Sequence, residues 1–156
     1  MKKVIFMGKT GCGKTTLCQK LHEQELKYKK TQAVERYGDA IDTPGEYLEN
    51  RHFYNALIMS AIDARMIALV ADPTSSYQAI PPGFASIFGK KVIGIITKCR
   101  EATQEQIQKA RGELQAGGAW PIFAVDTPAG VGIPELFDYL EREGKASEGR
   151  AAQCRN

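Results

Sequence analysis

The sequence predicts a doubly wound α/β domain, a mostly parallel central sheet with helices on both faces. Three observations carry that prediction. Apolar strand-like runs alternate with helical patterns along the chain, as in βαβ architectures. The runs are nearly continuously apolar, as parallel strands are when both faces are covered. The first run ends in a glycine-rich turn that opens a helix. Right-handed crossovers then place the C-terminal ends of the strands, and the loops after them, along one edge.

The first strand is Lys3 to Met7, rich in β-branched and apolar residues. Gly8-Lys9-Thr10-Gly11-Cys12-Gly13-Lys14-Thr15 follows and matches G-x-x-x-x-G-K-[ST] at every fixed position. Backbone N–H groups can wrap a polyphosphate only where no Cβ intrudes, which accounts for Gly8, Gly11 and Gly13. A helix begins there, with Leu17, Cys18 and Leu21 at helical spacing. Its N-terminus adds partial positive charge and unpaired N–H donors. Lys14 is expected to bridge the β- and γ-phosphates, and the Thr15 hydroxyl to ligate Mg²⁺. The phosphate-binding set runs from Gly8 through Thr16. Strand before and helix after are the context that makes the motif a nucleoside-triphosphate site, for GTP or ATP.

Glu23 to Lys30 is polar and basic and reads as a solvated helix end and loop. Val34–Tyr37 and Gly38–Ile41 read as two short strands, the second running into Asp42-Thr43-Pro44-Gly45. Arg51 to Asp63 has helical spacing, with Phe53, Leu57 and Ala61 on one stripe. Ala64–Ala71 and Lys91–Thr97 are buried strands, and Asp72-Pro73-Thr74-Ser75-Ser76 is a loop at the end of the first. Pro81-Pro82-Gly83 breaks the chain before a short apolar piece, Phe84 to Phe88. Thr103-Gln104-Glu105-Gln106 is a capping box, and Gly117-Gly118 closes the helix it opens. Pro121–Val125 is the last strand, and the last helix has Pro134 in its first turn. Residues 1–143 form the domain, while 144–156 lack periodicity and are expected to be a disordered tail.

The 156 residues suit one domain with a sizeable core. The net charge of +3 is too small to argue for a nucleic-acid or membrane partner. No apolar run approaches the roughly 20 residues of a membrane span, and the N-terminus reads as a strand rather than a signal peptide. Four cysteines without C-x-x-C pairing fit free thiols in a reducing cytoplasm.

The order phosphate loop, Thr31, Asp42-x-x-Gly45, Thr97-Lys98 is that of Ras-like GTPase domains. Within it, Lys30-Thr-Gln-Ala-Val-Glu35, Asp39-Ala-Ile-Asp-Thr-Pro-Gly-Glu-Tyr47 and Pro82-Gly-Phe-Ala-Ser86 resemble the EutP/PduV family. Those are small GTPase-like proteins of ethanolamine and propanediol utilisation. The resemblance implies a Ras-like G domain whose switch threonine, Thr31, completes Mg²⁺ coordination. It implies that Asp42 holds the metal shell and that the Gly45 N–H meets the γ-phosphate. Glu46 stands where many relatives of this fold carry a water-orienting Gln, so strong hydrolytic machinery is not evident.

The base end departs from the usual [NT]-K-x-D. Thr97-Lys98-Cys99-Arg100 puts a donor-only guanidinium where guanine presents donors. Thr97 and Lys98 are expected to brace the phosphate loop and cover the purine. Asp126 either supplies an acceptor to the base or caps its own loop. Three functions follow from the resemblance: a slow nucleotide-dependent switch, an acetate kinase-type phosphotransferase, or a scaffold without turnover. The setting it implies is the cytoplasm at a bacterial microcompartment, with a shell or enzyme partner.

Overall fold

Met66–Ala71, buried at every position, is the middle strand of a parallel sheet. The computed structural model describes residues 4–9, 11–31, 41–42, 53–76 and 80–153; for 27–31, 41–42 and 144–153 it describes the backbone alone. In chain order the elements are β1 (Val4–Met7), α1 (Lys14–Thr31), β2 (Ile41–Asp42), α2 (Tyr54–Ala61) and β3 (Met66–Ala71). A 3-10 turn (Phe84–Ile87), β4 (Lys91–Ile96), α3 (Gln104–Ala116), β5 (Ile122–Ala124) and α4 (Ile133–Gln153) complete them. The described strands lie in the order β2-β1-β3-β4-β5, every neighbouring pair parallel. The register pairs Ile5 with Ile67, Ile67 with Val92 and Ile95 with Phe123.

Alternation along the strands divides the core in two. Ile5, Met7, Ile67, Leu69, Val92 and Ile96 face Leu57 of α2 and Ile107 and Leu114 of α3. Val4, Phe6, Ile93 and Ile95 face Leu17 and Leu21 of α1 and Leu136, Phe137 and Leu140 of α4. This is why the runs read as wholly apolar: each strand has a helix layer on either side.

The capping box at α3 closes both ways. The Gln106 N–H donates to Thr103 Oγ1 at 3.2 Å, and the Thr103 N–H donates to Gln106 Oε1 at 2.9 Å. The C-terminal end of α2 is held differently, from outside the helix. The Lys90 ammonium donates to the carbonyls of Ala61, Ile62 and Ala64, at and just past the helix end, where carbonyls lack intrahelical partners.

Two expectations change. The α4 backbone continues as helix to Gln153, where composition had predicted a tail without regular structure from 144. Ala146, Glu148, Arg150, Ala151 and Ala152 are strong helix formers, and their propensity outweighs Gly144 and Gly149. Of the expected Arg51–Asp63, Tyr54–Ala61 is helical and the helix stops two residues short of Asp63, with Arg51 and His52 outside the described residues. The strand expected at Val34–Tyr37 lies outside the described residues, as do Thr10, Gly45 and Glu46. Among the described residues no helix is long and apolar enough to cross a membrane.

Candidate nucleotide-binding site

The loop between β1 and α1 is built to keep backbone, rather than side chains, at its centre. A Cβ on Gly8 would lie 2.5 Å from the Val70 carbonyl oxygen and 2.6 Å from Cys12 Sγ, so only glycine fits. Gly11 and Gly13 sit at φ +81° and +95°, the left-handed region that a Cβ disfavours. The Cys12 N–H donates to the Lys9 carbonyl at 3.3 Å, and the Leu17 N–H to that of Gly13 at 3.0 Å. The chain thereby turns directly into α1, whose first residue is Lys14.

Lys14 is only 6% exposed, and its ammonium is held by the loop itself. Nζ donates to the Gly8 carbonyl at 2.7 Å, to that of Lys9 at 3.3 Å and to Cys12 Sγ at 3.7 Å. Burial pushes the Cys12 thiol up, outweighing the lowering by the neighbouring Lys14. Cys12 is therefore a packing group under the loop rather than a reactive thiolate. Thr15 and Thr16 are exposed in the first turn of α1, and Lys9 is half-buried.

The loop after β4 reaches the phosphate loop from beneath. Thr97, 2% exposed, donates its hydroxyl to the Cys12 carbonyl at 2.8 Å. Lys98 Nζ lies 3.5 Å from the Gly11 carbonyl and donates to Asp72 Oδ2 at 2.7 Å. The Lys98 backbone stands at φ +54°, an uncommon conformation for a residue with a side chain, and the ion pair with Asp72 holds it there.

Asp72 and Ser75 are the functional candidates that sequence reasoning passed over as a plain loop. Burial alone would raise the Asp72 carboxyl. Hydrogen bonds from Lys98 and Thr74, with the Lys98 charge, outweigh it and hold the group below its ordinary value. The same hydrogen bond to Asp72 raises Lys98, against the cost of burial. Thr74 gives Asp72 Oδ1 its N–H at 2.9 Å and its hydroxyl at 2.6 Å. Lys9 Nζ donates to Ser75 Oγ. The available signal was a polar Asp-Pro-Thr-Ser-Ser run directly after a wholly apolar strand, on the edge where β1 ends in the phosphate loop.

At the base end, Arg100 is exposed on a turn closed by the Glu101 N–H donating to the Lys98 carbonyl at 3.0 Å. Asp126 is 6% exposed and accepts the Ala129 N–H on Oδ1 at 3.1 Å, capping its own loop. Its backbone also pairs with Val131. The Cys99 N–H donates to the Val125 carbonyl at 3.1 Å, so the loops after β4 and β5 are tied together.

Of the residues expected to hold the metal, Thr15 lies in the first turn of α1, while Thr31 and Asp42 are described by their backbone alone. The register of Phe6 with Asp42 puts Asp42 at the phosphate-loop edge of the sheet, its side chain outside the described residues. Thr31 is the last residue of α1 rather than part of a loop. At about 1.5 Å rise per residue, the helix carries it roughly 24 Å along its axis from Thr15. The two threonines do not meet while α1 keeps its full length.

Comparison with known proteins agrees with the architecture. Residues 1–142 match the model of the PduV-EutP family, ethanolamine utilisation - propanediol utilisation. The propanediol utilization protein PduV of Citrobacter freundii is 39% identical over 140 residues, covering 90% of this chain and 93% of the relative. A protein named probable acetate kinase EutP, from Escherichia coli, is 33% identical over 151 residues, 95% of this chain and 94% of that one. Among solved structures, elongation factor SelB of Methanococcus maripaludis with the GTP analogue GPPNHP superposes at TM-score 0.65 and 18% identity. That match covers 92% of this chain but only 34% of SelB. The FeoB G-domain of Methanococcus jannaschii matches at TM-score 0.58 and 16% identity, over 93% of this chain and 99% of the G-domain. These likenesses establish a Ras-like G-domain fold. With its phosphate loop, its sheet and its sequence all in agreement, the chain belongs to the PduV-EutP family of ethanolamine and propanediol utilisation.

Proposed function

We propose that this chain is a small nucleotide-dependent switch that binds a Mg²⁺-bound nucleoside triphosphate and hydrolyses it slowly, in ethanolamine or propanediol utilisation. One observation carries the reading. The β1–α1 loop has no room for a Cβ at Gly8, turns through positive φ at Gly11 and Gly13, and delivers the Lys14 ammonium at a helix start.

A triphosphate entering the loop would draw Lys14 from the carbonyls of Gly8 and Lys9, because a charge-assisted bond to phosphate is the stronger one. The N–H groups of the first turn of α1 would face the β-phosphate. Mg²⁺, when bound, supplies positive charge at the β,γ-oxygens; Thr15 and Asp42 are the residues that would hold it. Thr31 joins them only if the last turns of α1 unwind, which makes that helix end the moving part of the switch. Gly45 would contribute its N–H to the γ-phosphate. Thr97 and Lys98 hold the loop in shape throughout, and the purine would lie against Lys98. The cytoplasmic setting, with a microcompartment shell or enzyme as partner, rests on the family.

A second reading is favoured by the name of the Escherichia coli relative, probable acetate kinase. A carboxylate oxygen of acetate would attack the γ-phosphorus, and the diphosphate would leave. One experiment tests both. Diphosphate formation is followed for wild type and Lys14→Ala, with GTP and with ATP, each with and without acetate. Slow acetate-independent turnover lost in Lys14→Ala supports the switch. Acetate-dependent turnover with acetyl phosphate formed supports the kinase. Binding without turnover would leave a scaffold, and no binding by wild type would remove the nucleotide site.

A further inference from the structure

We propose that the Asp72–Ser76 turn is a positioning element for the phosphate loop, with Ser75 and Asp72 setting nucleotide affinity through Lys9 and Lys98. This rests on the loop being a triphosphate site, and it assigns a role to residues outside the loop itself.

The turn receives three lysines from three different elements. Lys9, the second residue of the phosphate loop, donates to Ser75 Oγ across 66 positions of sequence. Lys98, from the loop after β4, pairs with Asp72 and leans on the Gly11 carbonyl. Lys109 of α3 lies 3.5 Å from the Ser76 carbonyl. The turn is itself closed by two bonds from Thr74 to Asp72 and by the Ser75 N–H donating to the Asp72 carbonyl at 3.1 Å. Both the start and the middle of the phosphate loop are therefore fastened to one turn, Lys9 directly and Gly11 through Lys98.

The fastening matters because the loop's ligand-binding groups are backbone. Gly11 and Gly13 are the residues with most backbone freedom to lose, and an unfastened loop would have to be ordered at the moment of binding. Holding Lys9 and Gly11 beforehand moves that entropic cost into folding. The Lys9 side chain is thus a tether, distinct from Lys14, whose ammonium lies within the loop.

The test uses the full chain and titrates fluorescent GTP and ATP analogues, as di- and triphosphates, with Mg²⁺. Ser75→Ala and Lys9→Met are each expected to weaken binding about five- to twentyfold, for di- and triphosphate alike. The double variant should lose clearly less than the two single losses combined, because both remove the Lys9–Ser75 contact. Ser75→Thr, which keeps the hydroxyl, should restore affinity. Thermal unfolding by circular dichroism should move by only a few degrees in all of them. Wild-type affinity in Ser75→Ala would overturn the proposal, and so would losses from Lys9→Met and Ser75→Ala that add in the double variant. A loss confined to triphosphates would instead make Lys9 a γ-phosphate contact and overturn the tether. Lys14→Ala separates the two levels. Should neither wild type nor Lys14→Ala bind any analogue, the site reading fails and the tether with it; should only Lys14→Ala fail to bind, the tether is judged by the Ser75 series.

Discussion

Replacing Thr97 by valine removes a single oxygen and keeps the shape. The Thr97 Cγ2 methyl lies within ordinary contact of where a Gly13 Cβ would stand, at 3.8 Å, and valine retains it. What disappears is the hydroxyl donor to the Cys12 carbonyl at 2.8 Å, in a residue 2% exposed. A buried carbonyl stripped of its donor costs about 1–3 kcal/mol, more than the net worth of an average hydrogen bond. No cavity term adds to this, since the volumes match. For a chain of this length each kcal/mol moves the melting temperature by about 2–4 °C, so the expected fall is roughly 2–12 °C. Because that carbonyl belongs to the phosphate loop, triphosphate affinity should fall as well, about three- to tenfold. Thermal unfolding followed by circular dichroism and titration with a labelled triphosphate read the two effects. If Thr97→Val keeps both its unfolding midpoint and its affinity, the hydroxyl does not brace the loop and the site geometry described above is wrong at its base.

Two further outcomes follow from the same edge. Asp72→Asn should cost about 1–2 kcal/mol at neutral pH, discounted because Lys98 is partly exposed. The Asp72 carboxyl is lowered in the folded chain, so its contribution is full above the ordinary carboxylate range and is lost as pH falls through the folded value. Lys98 is raised, so the same pair also weakens in strong alkali as pH rises through its folded value. Unfolding midpoints of wild type and Asp72→Asn measured against pH should therefore converge in acid, and a constant gap would refute the pairing. At the base end, wild type should discriminate weakly between GTP and ATP, and Arg100→Asp should shift preference toward GTP by roughly ten- to a hundredfold, the worth of about 1.5–3 kcal/mol in a charged hydrogen bond. Competition against one labelled analogue measures it. A wild type preferring GTP more than a hundredfold, with Asp126→Ala retaining that preference, would show that the base is read by other groups.

The residues that could be read from sequence are those whose meaning is local. The glycines and Lys14 of the phosphate loop act within eight consecutive residues, and Thr103 with Gln106 within four. The apolar runs at Met66–Ala71 and Val92–Ile96 announce a sheet covered on both faces for the same reason. The partnership of Lys9 with Ser75, or of Lys98 with Asp72, has no local signature, because it exists only once β1, β3 and β4 lie side by side. Thr31 shows the opposite case. Its place in the order of motifs suggested a loop, whereas the backbone continues α1 through it. The helix propagates by one bond per residue and gives no sign in a motif of where it stops.

The three carbonyls gathered by Lys90 give α2 a fixed end. That end lies at the start of β3, the side of the sheet away from the phosphate loop, while the helix begins shortly after the Gly45–Tyr47 stretch. A helix pinned at one terminus answers a push at the other by pivoting rather than by sliding. At the other end Phe53 is exposed, while Tyr54 packs edge-on against Phe84 with ring centroids 5.4 Å apart, so the helix is braced at both termini.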